Sequence, residues 1–215
     1  MSNSAALAGV KVLDVSSVLS GPLSTMLLAD LGADVIKVEP PTAPDFTRGV
    51  GQARNEMTAY FYNTNRGKRA IAVDGRHHLG RKILQQLADQ SDIVVQNMRP
   101  GKAAGIGLDP DQCMERNKSL IYASISGYGS DGPMAGEPVY DYVIQAVTGM
   151  VDAQRDPVTD ALDLTRHFPA DKITAHALAE SILAALFARE RDPQRRGQHV
   201  EVSMHEANLA FMWPD

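Results

Sequence analysis

The chain has 215 residues, 44% of them apolar, which is enough for one well-buried core, and 21 basic against 26 acidic side chains leave a formal charge of −5. No basic cluster or stripe is present, so nucleic-acid binding has no footing, and the single cysteine, Cys113, excludes an internal disulfide or a cysteine-based zinc site and fits a cytoplasmic setting. The first residues read as no secretory signal, no run of roughly 18 apolar residues predicts a membrane span, and the histidines, His77-His78 included, lack metal-ligand spacing.

In chain order, short β-branched runs alternate with helical patterns, the mark of βαβ units around a mostly parallel sheet. Strands are predicted at Val10–Val15, Val35–Val38, Ala70–Val73, Ile93–Gln96, Leu120–Ile125 and His199–Ser203. Between them fall helices at Leu23–Leu31, which follows Pro22, and at Leu79–Gln90, with Leu79, Ile83, Leu84 and Leu87 on one face. Further helices are predicted at Tyr140–Met150 and from about Lys172 to Arg191, the latter with a wide apolar stripe of Leu178, Ile182, Leu183, Leu186 and Phe187. A last helix, Met204–Met212, is still apolar where the sequence stops, so its packing partner is expected on another segment or another chain. Two long loops, Pro40–Thr58 and Val151–Pro169, are rich in proline and polar residues, and loops of that length tend to be functional or mobile. The fold class is α/β, a Rossmann-like sheet flanked by helices.

The most informative residue is Asp171, in Phe168-Pro169-Ala170-Asp171-Lys172-Ile173-Thr174 at the mouth of the longest helix. There the free backbone N–H groups and the helix dipole stabilise an anion. The plain reading is a capping aspartate; the sharper one is a carboxylate nucleophile held ionised to attack a carbonyl. At the first strand–helix turn, Asp14 to Pro22, the G-x-G-x-x-G fingerprint of dinucleotide sites and the Walker A loop are both absent, which disfavours a nicotinamide-dependent dehydrogenase. Lys37, Arg99 and Lys102 follow strand ends, where open α/β sheets bind ligands, although solvated surface charge is the simpler reading of each.

A series of blocks along nearly the whole chain resembles the family III CoA-transferases. They are Leu13-Asp14 to Gly21-Pro22, Leu31 to Glu39, Thr47-Arg48-Gly49, Tyr60-Phe61 with Asn65 and Lys68-Arg69, and Asn97 to Gly101. Ser126 to Gly129 with Gly132-Pro133, Tyr140-Asp141 with Gln145, Asp171, and Arg196-Gly197-Gln198 complete the series. The resemblance implies that Asp171 is the catalytic carboxylate, forming first a mixed anhydride with the acyl group and then an aspartyl-CoA thioester. It implies CoA contacts from Val18, Lys37, Pro40, Asn97, Met98, Arg99, Lys102 and Ile106, and an acyl pocket near Leu19 and Tyr140. CoA is then a co-substrate, with no permanently bound cofactor and no metal. The partners are an acyl-CoA, a small carboxylic acid and, in the complete protein, a second subunit in an interlocked homodimer; nucleic acid and membrane are not among them. Tyr60 and Phe61 read more simply as core residues, and Arg48 and Arg69 as structural ion pairs.

Three positions depart from the family's pattern. Met98 replaces the usual aromatic, Gly105 stands where a basic residue is usual and leaves its phosphate contact to Lys102, and Leu19 stands where relatives handling small polar acids carry Gln, implying a larger or more hydrophobic acyl group. Family members also continue well past this length, with a small domain and a glycine-rich loop, so residues 1–215 are expected to be the N-terminal part of the large domain. Two alternatives remain open: an α-methylacyl-CoA racemase, disfavoured because Tyr140 replaces the basic histidine, and a non-catalytic CoA-binding subunit.

Overall fold

The computed structural model describes residues 5–213 apart from Glu56. Its elements, in chain order, begin with β1 (Lys11–Asp14), α1 (Ser20–Asp30), β2 (Asp34–Glu39), the short strands β3 (Ala53–Arg54) and β4 (Met57–Thr58), α2 (Ala59–Asn65) and β5 (Arg69–Ala72). They continue with α3 (His78–Asp89), β6 (Ile93–Gln96), α4 (Pro110–Arg116), β7 (Ile121–Ser126), α5 (Asp141–Val147), α6 (Met150–Ala153), α7 (Pro169–Arg191), β8 (His199–Ser203) and α8 (Met204–Met212). Six strands form one parallel sheet in the order β5-β2-β1-β6-β7-β8. The central strands are apolar throughout: Ile93, Val94, Val95, Ile121, Tyr122 and Ala123 are fully buried, as expected where helices cover both faces of a sheet.

One core layer lies under α1 and α7, where Leu28, Leu178 and Ile182 pack on Val12, Val35, Val95 and Ala123. The opposite layer lies under α3 and α4, where Leu84, Ala88 and Cys113 pack on Leu13, Val94 and Tyr122. Ala175, Ala179 and Ala185 are buried along α7, and their small side chains let it lie close against its neighbours. Phe187, expected in the same stripe, is instead 64% exposed because it lies on the outer side of the helix.

All six predicted strands and five predicted helices are present, with three informative corrections. The expected Tyr140–Met150 helix is two helices, broken at Gly149, whose φ of 83° cannot continue an α-helix. The Pro40–Thr58 loop contains a 3-10 turn at Phe46–Gly49 and the β3–β4 pair, and α2 and α4 were not anticipated; both are only 7 residues long, too short for a clear helical period. Finally, α7 begins at Pro169, so Asp171 is not its N-cap but the third residue of its first turn.

Strand order reverses between β1 and β6: the chain runs outward through β2 and β5, then returns to the other side of β1. In an open parallel sheet, the loops at the carboxyl ends of two such strands part and leave a crevice. The turn after β1 and the Asn97–Pro100 segment after β6 flank that crevice, and Asn97 links them by accepting the Ser17 N–H (2.9 Å) and donating to the Ser17 carbonyl (2.7 Å).

Candidate active site

A cavity of about 350 Å³ opens at this switch point. Its walls come from the β1 turn (Ser17, Val18, Ser20), the β6 turn (Asn97, Met98, Arg99), the end of β7 with the loop leading to Tyr140, and Asp171. Six of the predicted site residues thus converge: Val18, Asn97, Met98, Arg99, Tyr140 and Asp171. Lys102 and Pro40 are exposed outside it, and Ile106 packs against the core layer under α3.

Two predicted residues are corrected by the geometry. Lys37 does not reach the cavity: its side chain is 1% exposed, with the ammonium bound to Asp45 at 3.0 Å and to the Ser16 carbonyl at 3.0 Å. It sits on the inside of β2, where alternation turns every second side chain toward the core. Leu19 is 3% exposed and lies beneath the turn rather than on the cavity wall, so its side chain carries no argument about acyl size.

Asp171 is held by backbone on two sides. Its own N–H donates to Asp141 Oδ2 at 2.8 Å, and the preceding carbonyl, Ala170, accepts from the buried Asn208 Nδ2 of α8 at 3.0 Å. Asp141, at the start of α5, also accepts from Gln145 Nε2 at 2.5 Å, and Gln145 in turn exchanges hydrogen bonds with the Thr165 backbone. That chain of contacts ties the long 151–169 loop to the first turn of α7. The residue before Pro169, Phe168, is left-handed at φ 55° and packs against Tyr60 and Tyr142. Across the cavity Val18, a β-branched residue, is also left-handed at φ 70°. Strain of this kind costs on the order of 1–3 kcal/mol per residue and persists only where surrounding contacts over-determine it.

Burial pushes the Asp171 carboxyl up to about 6, with the Asp141 carboxylate adding to the rise, while the hydroxyl and N–H of Ser20 pull it down. The expectation that the helix start would simply hold this group ionised therefore needs revision: desolvation dominates. At neutral pH the group is mostly ionised yet poorly solvated, a combination that favours nucleophilic attack. Burial also raises the Tyr60 phenol well above its ordinary value, and the Asp171 carboxylate adds to the rise. Arg48 pairs with Glu39 through two hydrogen bonds and Arg69 with Asp34 likewise, both as anticipated.

Sequence reasoning missed Ser20, Asp45 and the part played by Asp141. Ser20 opens α1, and Asp141 belongs to the Tyr140-Asp141 block, but the pairing of each with Asp171 crosses 151 and 30 positions of chain respectively. No local pattern reports such pairings. Among the described residues, no group of three or more His, Cys, Asp and Glu side chains is placed to hold a metal ion, and no helix is long and apolar enough to cross a membrane.

A parallel α/β sheet whose switch-point cavity is walled in part by a desolvated carboxylate defines a ligand-binding α/β protein of the kind that works on a group brought to the carboxyl edge of its strands. More narrowly, this chain belongs to CoA-transferase family III, whose model matches residues 7–215. It is 36% identical over 204 residues to acetyl-CoA:oxalate CoA-transferase of Acetobacter aceti, covering 95% of this chain and 52% of that protein. It is 34% identical over 213 residues to succinate–glutarate CoA-transferase of Agrobacterium fabrum, again covering 52% of the relative. Among solved structures, a CAIB/BAIF family protein from Brucella suis superposes with a TM-score of 0.91 at 34% identity, over 98% of this chain and 56% of that one. The chain therefore spans about half the length of the relatives it matches.

Proposed function

We propose that the complete protein transfers CoA between an acyl-CoA thioester and a carboxylic acid, with Asp171 as the nucleophile. The observation that carries this reading is the Asp171 carboxyl, raised to about 6 and set in the wall of the switch-point cavity opposite Ser20. Its carboxylate attacks the thioester carbonyl, the C–S bond breaks, and CoA thiolate leaves a mixed anhydride. The thiolate then attacks the aspartyl carbonyl and expels the donor carboxylate, leaving an aspartyl-CoA thioester. An acceptor carboxylate attacks this thioester and releases thiolate again; attack of the thiolate on the acyl carbonyl gives the new acyl-CoA and regenerates Asp171.

Residues in and around the cavity divide the tasks of this scheme. Ser20 offers an N–H and a hydroxyl to the negative charge on Asp171. Val18, Asn97, Met98 and Arg99 line the approach for the pantetheine arm, and Pro40, Lys102 and Ile106 serve the nucleotide end beyond the cavity. Tyr140, 74% exposed at the rim, faces the acyl group. The relatives' names pair acetyl-CoA with oxalate and succinate with glutarate, which supports small carboxylic acids as donors and acceptors. The two subunits of the complete protein form an interlocked homodimer in the cytoplasm.

The test is chemical trapping. Full-length protein incubated with acyl-CoA and then treated with hydroxylamine or borohydride is expected to carry a modification at Asp171, found by peptide mass spectrometry. Turnover in deuterated water is expected to introduce no deuterium at the acyl α-carbon, and Tyr140→Phe is expected to lose little transfer. An unmodified Asp171 with rapid α-proton exchange would overturn the transferase reading in favour of a racemase.

A further inference from the structure

The turn that carries Val18 is held by side-chain charge to an unusual degree. Ser16 N–H donates to Asp14 Oδ1 at 2.9 Å, and the Ser16 carbonyl accepts from Lys37 Nζ at 3.0 Å. Ser17 is bound at both its N–H and its carbonyl by Asn97. Val18 N–H is shared between the two oxygens of Asp45, each at 3.3 Å. Five consecutive backbone groups are thus taken by side chains rather than by strand, helix or solvent.

Three of those four side chains, Asp14, Lys37 and Asp45, are buried charges held in ion pairs. Asp45 and Lys37 form an ion pair with both side chains 1% exposed, and Asp14 and Lys68 form a second at 2.9 Å with exposures of 0% and 2%. Asp45 is oriented in turn by Thr47, which donates both its N–H and its hydroxyl to Oδ1, and by Glu39, which accepts the Asp45 N–H. Buried ion pairs are a poor route to stability, because desolvation offsets most of the attraction. Their geometry, however, is directional, and here it is spent on a turn in which a β-branched residue is held left-handed. Two residues further on comes Ser20, the first residue of α1, which lines the same cavity as Asp171.

The geometry points to Asp45 and Lys37 as positioning residues for the reaction: their ion pair locks the Ser16–Val18 turn in its strained form and so aims Ser20 at the Asp171 carboxylate across the cavity. This inference deepens the transferase reading and rests on Asp171 being the group that reacts. It also gives Lys37 a task other than contact with CoA.

The test uses Asp45→Asn, in the full-length protein, with Arg189→Met as a control for loss of an ion pair made by a buried side chain, that of Arg189 with the half-buried Asp92, remote from the cavity. Two measurements are made well below the melting temperature of each variant. The first is steady-state CoA transfer, where Asp45→Asn is expected to lower kcat at least tenfold with KM for acyl-CoA changed less than threefold, and Arg189→Met to leave kcat within twofold. The second is the titration of the Asp171 carboxyl by difference infrared spectroscopy against Asp171→Asn, which needs no turnover. Asp141 and Tyr60 lie beside that carboxyl, Tyr140, Arg99 and Glu137 line the same cavity, and all five are unchanged in the variant. Loss of the Ser20 donors is expected to move the midpoint up. Loss of a neighbouring negative charge alone would move it down, so the sign separates positioning from through-space electrostatics. A midpoint that is unchanged or lower in Asp45→Asn overturns the inference, as does a kcat equal to that of the Arg189→Met control. Failure of Asp171 itself as nucleophile is seen separately, as absence of trapping in the unaltered protein.

Discussion

At the scale of single residues, the balance at Asp171 sets two testable properties. Burial and Asp141 raise its carboxyl to about 6, so the folded protein holds that proton more tightly than the unfolded chain does. Stability associated with this group is then present at low pH and lost as the pH rises from the ordinary aspartate value of 3.8 through about 6. Replacing Asp171 by Asn is expected to raise thermal stability at neutral pH, by up to ~3 kcal/mol, while cutting transfer to less than about a tenth, a barrier increase of more than roughly 1.4 kcal/mol. Melting curves at pH 5 and 8 check the first half; a gain that persists unchanged at pH 5 would show that its source is not the buried charge. Asp141→Asn removes the neighbouring negative charge while keeping an acceptor for the Asp171 N–H. The acid limb of kcat against pH is expected to move to lower pH than in the unaltered protein, and an upward move would contradict the role assigned to Asp141.

At the scale of elements, the start of β8 depends on one glycine. A Cβ at Gly197 would stand 1.9 Å from the Leu120 carbonyl oxygen, and the obstacle is backbone rather than a movable side chain. The approach is this close because Gly197 N–H donates to the Lys118 carbonyl at 2.8 Å and the Gln198 carbonyl accepts from Tyr122, which seats β8 beside β7. Gly197→Ala is expected to cost on the order of 3 kcal/mol and to show as a lower melting temperature and faster amide exchange along Tyr122–Ser126. The Arg196-Gly197-Gln198 block was legible in the sequence as a motif, but the reason for it was not. Much the same holds for Gln145, whose side chain joins α5 to the loop ahead of Asp171. Strands were legible because β-branched runs are local. The break in Tyr140–Met150 was not, because a glycine inside an apolar run reads equally well as an interruption or as a packing site.

At the scale of the whole molecule, two packed helices leave large apolar side chains in solvent. Phe187 on α7 and Phe211 on α8 are 64% and 60% exposed, and Leu209 is 39% exposed. Exposed faces of this kind mark contact surfaces in stable proteins. The 215-residue polypeptide by itself is therefore expected to self-associate, with a concentration-dependent sedimentation coefficient and a broad melt. A monodisperse monomer with a sharp cooperative transition would show that these side chains need no cover.

The sequence by itself determined the class of the fold, the order and type of its strands and long helices, and the family, because each of these is written in local periodicity or in blocks of contiguous residues. Only the tertiary structure decided that Lys37 turns inward to Asp45, that Leu19 lies below the cavity, that Asp141 binds the Asp171 N–H and Ser20 shares its cavity, and that burial pushes the Asp171 carboxyl up to about 6. Side-chain direction, desolvation and charge pairing depend on segments tens of residues apart meeting at the sheet's switch point. A buried lysine and a ligand-binding lysine therefore look alike until the chain has folded around them.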